Sequence, residues 1–229
     1  MSSFVSCIVA AGGSGTRMGA DKNKLFLEID GVAVIVRTLS ILEKCEEISE
    51  IIISAREEDV EQIREYVRLF ENTKVKAVVK GGATRAESVL SAANEISDKC
   101  SLVMIHDGAR PFVTQKIIAE TVKKASETGA AACGVKPKCT LKAINEKGCI
   151  VETVDREKTT EIQTPQVFSK ELFARMYSLD VETIKKATDD CSLAEICGAD
   201  VFVTEGSYKN IKITTPEDIS IAETFIRRD

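Results

Sequence analysis

The sequence predicts an α/β fold with a mainly parallel sheet, and three observations carry that expectation. Short apolar runs alternate with helical periods through residue 135. Loops rich in glycine or bearing an acid follow three of those runs, at the carboxyl ends where open α/β sheets collect ligands. No repeat, low-complexity tract or linker interrupts the pattern, so a single domain spanning 1–229 is expected.

Taken in order, Val5-Ser6-Cys7-Ile8-Val9 opens a buried strand over 5–10, and Ile35, Leu39 and Leu42 mark one face of a helix over 33–45. A strand over 48–54 centres on Ile51-Ile52-Ile53, and Val60, Ile63 and Val67 set a helix over 57–69. Strands over 75–79, 102–106 and 130–135 follow, separated by helices over 84–97 and 115–128. The rhythm breaks at 138–155, where two alternating segments flank the turn residues Asn145-Glu146-Lys147-Gly148 and predict a β-hairpin. A lone hairpin is marginal in water, so this one is expected to act as a dimer arm. Beyond it come a helix over 169–179, a polar stretch, a helix over 190–197, strands over 200–205 and 210–214, and a last helix. Thr215-Pro216-Glu217-Asp218 is a strong start for that helix, with Thr as cap, Pro at the first position and Asp reaching back.

Composition narrows the chemistry. A chain of this size buries about 70 to 75% of its unfolded surface and needs no metal or disulfide staple. The net charge of −5 removes a broad electrostatic footprint for nucleic acid, so an anionic ligand must be held locally. No apolar stretch approaches the ~20 residues of a membrane span. The opening residues lack a basic n-region, so a cytoplasmic protein without a signal peptide is expected. Eight cysteines form no C-x-x-C, and several sit in apolar runs, which predicts free thiols. A single histidine, His106, leaves little material for a His-rich zinc site.

The loop Ala10-Ala11-Gly12-Gly13-Ser14-Gly15-Thr16-Arg17-Met18-Gly19 directly follows the first strand, with Lys24 just beyond it. Small residues there let backbone N–H groups close on a phosphate, and fixed cations add charge. A bare strand-to-helix turn would not need Arg17, Lys22 and Lys24. The loop is not a Walker loop, because Gly19 is followed by Ala20-Asp21 rather than Lys and Ser or Thr. Nor is it a dinucleotide fingerprint: Gly13, Gly15 and Gly19 are spaced G-x-G-x-x-x-G, and the second strand ends in Ser54-Ala55-Arg56 without an acid.

Two further strand ends carry chemistry. Gly81-Gly82-Ala83-Thr84-Arg85-Ala86-Glu87-Ser88 opens a helix; Thr84 alone reads as an N-cap, while Gly82 and Ser88 are placed to read a base edge. His106-Asp107-Gly108-Ala109-Arg110-Pro111 caps the next strand. His106 there reads equally as a core histidine, whereas a carboxylate at Asp107 stands where Mg²⁺ or a sugar hydroxyl is wanted. Taken singly, Thr140, Asp155-Arg156, Thr164-Pro165-Gln166, Thr188-Asp189 and Lys212 read as solvated surface residues.

Together these motifs resemble the 2-C-methyl-D-erythritol 4-phosphate cytidylyltransferase family over nearly the whole chain. The match comprises the Ala10–Met18 loop with Lys24, Gly81-Gly82 with Arg85 and Ser88, His106–Pro111, Val154-Asp155-Arg156, Thr164-Pro165-Gln166, Thr188-Asp189 and Asn210–Thr214. The resemblance implies a fold of nucleotide-diphosphosugar transferase type and transfer of CMP from CTP, assisted by Mg²⁺, to a polyol phosphate. It assigns CTP to Ala10, Ala11, Gly12, Gly13, Gly15, Gly82, Arg85 and Ser88. Arg17 and Lys24 would stabilise charge on the α-phosphate and the leaving pyrophosphate. Arg156 and Lys212, with Thr140 and Thr164, would hold the attacking phosphate, while Asp107, Arg110 and Thr188 would contact the erythritol part. The arm would carry its arginine and threonine into the neighbouring subunit of a homodimer. One departure is the extra residue at Gly13-Ser14, a loop form shared with ribitol-5-phosphate cytidylyltransferases, so a pentitol phosphate acceptor is the alternative. Against it, Gly108-Ala109 before Arg110 resembles the methylerythritol enzymes. A non-catalytic nucleotide-binding protein of the same fold is a remoter alternative, because such a protein would usually lack one of the four cations.

Overall fold

A computed structural model of the chain describes residues 3–13 and 23–227. Among these, a seven-stranded sheet is built from β1 (Val5–Ala11), β4 (Glu50–Ala55), β5 (Val75–Lys80), β6 (Leu102–Asp107), β7 (Ala130–Val135), β10 (Glu161–Ser169) and β11 (Phe202–Glu205). Their order is β11-β7-β10-β6-β1-β4-β5. β10 alone runs against its neighbours: it pairs antiparallel with β6 and with β7, and the remaining pairings are parallel. The two small pairs are β2 (Glu28–Ile29) with β3 (Val32–Ala33), and β8 (Lys142–Ile144) with β9 (Ile150–Thr153).

Helices cover both faces, and strand alternation sorts the side chains between them. Cys7, Val9, Ile51, Ile53 and Met104 enter one core with α1 (Val34–Glu43), α2 (Val60–Leu69), α4 (Gln115–Thr128) and α8 (Pro216–Ile226). Ile8, Ile52, Val103 and Ile105 point the other way, toward α3 (Arg85–Ala93), α5 (Lys170–Met176) and α7 (Asp190–Ile196). The strands β1, β4 and β6 are therefore apolar at nearly every position, as sheets buried on both faces require. Each fully buried isoleucine of this set contributes about 1.5–3 kcal/mol relative to exposure.

Most expected elements are present with trimmed ends; the helix expected over 84–97, for instance, spans Arg85–Ala93. The hairpin forms around a turn in which Asn145 Oδ1 accepts from the Lys147 and Cys149 N–H groups, both at 3.0 Å, and Gly148 takes φ +78°. Thr215 and Pro216 start α8 as expected, and the Thr215 N–H donates to Asp218 Oδ2 at 2.9 Å.

Three expectations need correction. Residues 210–214 are not a strand. Their apolar alternation instead fits an irregular segment over the carboxyl end of the sheet, with Ile213 buried and its N–H donating to the Ala109 carbonyl at 2.8 Å. β10 is a central strand where none was expected, with a register shift between Ile162 and Gln166 around Pro165. A bulge is the setting in which a sheet tolerates proline. The polar stretch after α5 contains a short helix, α6 (Val181–Lys186), capped by the Asp180 side chain accepting from the Thr183 N–H at 3.0 Å.

Candidate active site

Chain order reverses around β1, because β4 and β5 lie to one side of it and β6 to the other. Such a switch point leaves a crevice outside the strand ends. A cavity of about 330 Å³ occupies it, lined by Ala10, Ala11, Gly12, Gly13, Gly82, Arg85 and Ser88 of the expected CTP residues, and by Lys24, Asp107 and Lys212. Arg17 and Gly15 fall outside the described residues.

The floor is set by a hydroxyl and two glycines. Ser88 Oγ accepts from the Gly82 N–H at 3.2 Å and donates to the Thr84 carbonyl at 2.9 Å. A Cβ on Gly81 would stand 2.6 Å from that oxygen, a contact only glycine avoids, and one on Gly12 would stand 3.2 Å from it, tight enough to press on Ser88. Ser88 thereby fixes the turn under the cavity and keeps one lone pair for a ligand. Thr84 caps α3, in a capping box with Glu87.

Lys24 starts a 3₁₀ turn capped by Asn23, whose Oδ1 accepts from the Leu25 N–H at 3.1 Å. Asn23 Nδ2 donates to Asp59 at 2.6 Å, and Arg56 Nε holds the same carboxylate oxygen at 2.6 Å. Arg56, which had only argued against a nicotinamide site, thus anchors the segment presenting Lys24.

Asp107, also lining the crevice, gathers cations. Its Oδ2 lies 2.9 Å from Lys212 Nζ and 3.3 Å from Arg110 Nε, and its Oδ1 lies 4.0 Å from Arg85 Nε. Burial alone would push this carboxyl up, but Lys212, Arg85 and Arg110 hold it well below the usual carboxylate range. Arg85 is also clamped from behind, with Nη1 2.6 Å from Asp190 Oδ2; Tyr177 donates to the other oxygen of Asp190 at 2.5 Å. Burial lowers the Arg85 pKa, yet Asp190 and Asp107 outweigh it and raise it overall. Asn210, fully buried, accepts from Arg110 Nη1 through its carbonyl at 2.8 Å and donates to the Thr164 carbonyl at 3.0 Å.

Thr164 is buried rather than solvated. Its Oγ1 accepts from the Asp107 N–H at 3.0 Å and lies 3.1 Å from His106 Nδ1. Gln166 is buried too, donating to Asp189 at 3.0 Å and accepting from the Asp190 N–H at 3.1 Å. The surface reading of these residues is therefore corrected: polar side chains are tolerated inside because each finds a partner. The His106 ring likewise pairs with Thr164 and with the Arg110 backbone.

Burial drives the His106 pKa down from 6.5 to about 4; the Asp107 charge and a hydrogen bond to the Arg110 backbone oppose this, while the charges of Arg110 and Lys212 reinforce it. Between those values the unfolded chain takes up a proton that the folded chain refuses, so stability must fall as pH drops. At about 1.36 kcal/mol per unit the loss by pH 4 is on the order of 3 kcal/mol. Asp107, with its pKa depressed, keeps its stabilising contribution down to the ordinary carboxylate range and loses it only below. Urea unfolding at pH 7 and 4.5 is expected to show a steeper decline for this protein than for His106→Asn; equal declines would contradict the assignment.

Not every expected residue is gathered here. Arg156 and Thr140 are exposed beside the hairpin, Arg156 pairing among the described residues with neighbouring Glu157 at 3.7 Å, and Thr188 is exposed with its hydroxyl on Ser192 at 2.9 Å. Asp190 and Tyr177 were missed by sequence reasoning; the adjacent acids Asp189-Asp190 at a helix start were the only signal.

A mainly parallel α/β sheet with a glycine-lined, cation-rich crevice at its switch point defines a nucleotide-binding enzyme of the nucleotidyltransferase class. A model of the family described as 2-C-methyl-D-erythritol 4-phosphate cytidylyltransferase matches residues 5–228, and the chain belongs to that family. Curated relatives bearing that name include one from Clostridium perfringens, 40% identical over 223 residues (97% of this chain, 99% of the relative). Another, from Bacillus cereus, is 44% identical over 220 residues, 96% of each chain. The crystal structure of a 4-diphosphocytidyl-2C-methyl-D-erythritol synthase from Anaerococcus prevotii superposes with a TM-score of 0.88 at 33% identity, covering 99% of this chain and 97% of that one. These matches carry the methylerythritol name, not the ribitol alternative.

Proposed function

We propose that the protein transfers CMP from CTP to 2-C-methyl-D-erythritol 4-phosphate in the non-mevalonate isoprenoid pathway. The observation that carries this is the lining of one crevice by Lys24, Arg85, Asp107 and Lys212 together with the Gly12-Gly13 backbone, with Asp107 drawing Lys212 to 2.9 Å and Arg110 to 3.3 Å. An acceptor phosphate oxygen attacks the α-phosphorus of CTP. The bond from that phosphorus to the oxygen of the β-phosphate breaks, and pyrophosphate leaves with the electron pair, giving 4-diphosphocytidyl-2-C-methyl-D-erythritol. The attacking group is already an anion, so no general base is needed, and positioning with charge stabilisation does the work.

The backbone at Ala11 and Gly82, with the remaining lone pair of Ser88, reads the cytosine edge. Lys24, with Arg17, neutralises charge on the α-phosphate and the leaving group. Lys212 and Thr164 hold the acceptor phosphate, and Asp107 and Arg110 meet its hydroxyls. Among the described residues no group of three His, Cys, Asp or Glu could hold a metal, and the oxygens of Asp107 face cations. Mg²⁺ fits here as an ion carried by the triphosphate oxygens, where it supplies charge neutralisation. Phosphorus NMR of the reaction mixture tests the reading: new signals of a diphosphate diester plus pyrophosphate are expected, and unchanged CTP would overturn it.

The working unit is a homodimer. Ile144, Ile150 and Val151 of the hairpin are all more than 60% exposed, and a free two-stranded hairpin with such residues is marginal unless it packs on a second surface. Arg156 and Thr140 flank that hairpin and are not among the residues lining this chain's own cavity, so a second copy would receive them, while Thr188 contacts the acceptor within its own chain. Light scattering at micromolar concentration is expected to give twice the chain mass of 24.9 kDa, and a monomeric mass would sink the arm exchange. The cytoplasm is the setting we assign. Its nucleotide pool supplies CTP, and free Cys139 and Cys149 on the surface suit a reducing compartment. Among the described residues no helix is long and apolar enough to cross a membrane.

A further inference from the structure

We propose that Asp190, with Tyr177 behind it, is a positioning residue that holds the Arg85 guanidinium at the crevice for CTP. The inference rests on the assignment of Arg85 to CTP and adds the group that fixes its side chain there.

Arg85 stands where a helix least favours a cation. It is the first residue of α3, beside the positive end of the helix dipole, where acids are favoured and bases are not. The acids that face it among the described residues are Asp190 and Asp107, and they do not share it equally. Nη1 lies 2.6 Å from Asp190 Oδ2, whereas Nε lies 4.0 Å from Asp107 Oδ1. Asp107 is already engaged by Lys212 at 2.9 Å and by Arg110 at 3.3 Å. Asp190 therefore sets where the guanidinium lies, and Asp107 is left to the two other cations.

The pair points one way. The Asp190 side chain is 1% exposed, while that of Arg85 is 32% exposed and lines the crevice. The acid is thus fixed in the interior and the base is offered at the surface. Three segments fix the acid: it starts α7, its N–H donates to Gln166 Oε1 of β10 at 3.1 Å, and Tyr177 at the end of α5 donates to its Oδ1 at 2.5 Å. The Tyr177 ring packs in turn on Phe173, with centroids 4.7 Å apart. Burial and the Asp190 charge push the Tyr177 phenol up, so the hydroxyl keeps its proton for that bond. A buried ion pair is weak evidence of stability, because well-packed apolar groups of similar volume do as well. Its value here lies in direction: a guanidinium already held in place loses less freedom when a ligand arrives, and that pre-organisation is gained as affinity.

Titration calorimetry of the whole protein with CTP and Mg²⁺, without acceptor, tests this. Asp190→Asn is expected to weaken CTP binding about tenfold, as loss of a charged contact does, and Tyr177→Phe about threefold. Arg85→Met is expected to lose at least as much as Asp190→Asn. The deciding comparison is the double variant: on the Arg85→Met background, Asp190→Asn should weaken CTP binding no further, because the acid has nothing left to hold. A second tenfold loss there would mark Asp190 as a structural support acting without Arg85 and overturn the proposal. Parent affinity in Asp190→Asn would overturn it as well. If Asp190→Asn does not fold, Tyr177→Phe decides, since it keeps the ion pair, and unchanged affinity in that variant overturns the proposal. Absence of CTP binding by the parent protein defeats the positioning role together with the reading of the crevice on which it rests.

Discussion

Replacing Lys212 by alanine is expected to lower kcat/KM for the acceptor by about 10²- to 10³-fold, the usual cost of removing one preorganised charge donor from developing phosphate charge. The side chain is well placed for this. Its ammonium stands 2.9 Å from Asp107 Oδ2, and the side chain lines the crevice and is 37% exposed, so an arriving phosphate can engage it without pulling it from a fixed position. Asp107 keeps Arg110 and Arg85 after the substitution, so the fold should survive with little change in Tm. Lys212→Arg is not expected to restore activity, because a planar fork cannot reproduce a compact ammonium at the same distance. A loss of less than about threefold would remove Lys212 from the transition-state contacts assigned to it.

Two inactive variants should restore one another. Lys24→Ala removes a cation from the cavity of its own chain, and Arg156→Ala removes the cation beside the hairpin. If Arg156 serves the neighbouring subunit, a mixed dimer has one site lacking both groups and one lacking neither. Random mixing of equal amounts makes half the dimers mixed, so about a quarter of the parent activity should return. Steady-state assays before and after unfolding and refolding the mixture together would show this. No recovery would mean that Arg156 works within its own chain or not at all. The exposure of Arg156 and its weak contact with Glu157 at 3.7 Å show how little holds it in place in one chain.

Much of the fold was legible because its central strands are apolar at nearly every position and end in glycines or acids. Ile51-Ile52-Ile53 and Val103-Met104-Ile105 announce buried strands, and the sheet rule then brings the Gly12, Gly82 and Asp107 loops to one crevice. β10 was not legible. Its run Gln163-Thr164-Pro165-Gln166 reads as a break, and only tertiary partners reverse that: Gln163 Nε2 donates to the Ser207 carbonyl at 2.9 Å, and Gln166 bridges to Asp189 and Asp190. Conversely, the alternation of Ile211 and Ile213 suggested a strand, but pairing needs a neighbour, and this segment lies over the end of the sheet instead of along an edge.

The site divides in the same way. Residues on loops at strand ends could be named from spacing, whereas those that hold them could not. Asp190 behind Arg85, Tyr177 behind Asp190, and Asn210 between Arg110 and Thr164 matter through contacts between segments 13 to 105 residues apart. Nothing in their local sequence marks them. Buried polar networks of this kind are specified by the folded chain as a whole.

The most direct test of the account is pyrophosphate release with CTP and Mg²⁺, comparing 2-C-methyl-D-erythritol 4-phosphate with D-ribitol 5-phosphate as acceptor. Rapid release with the first and little with the second is the expected result. Equal or greater release with ribitol phosphate would leave the CTP crevice in place and contradict the acceptor assignment made for Lys212, Thr164 and Asp107.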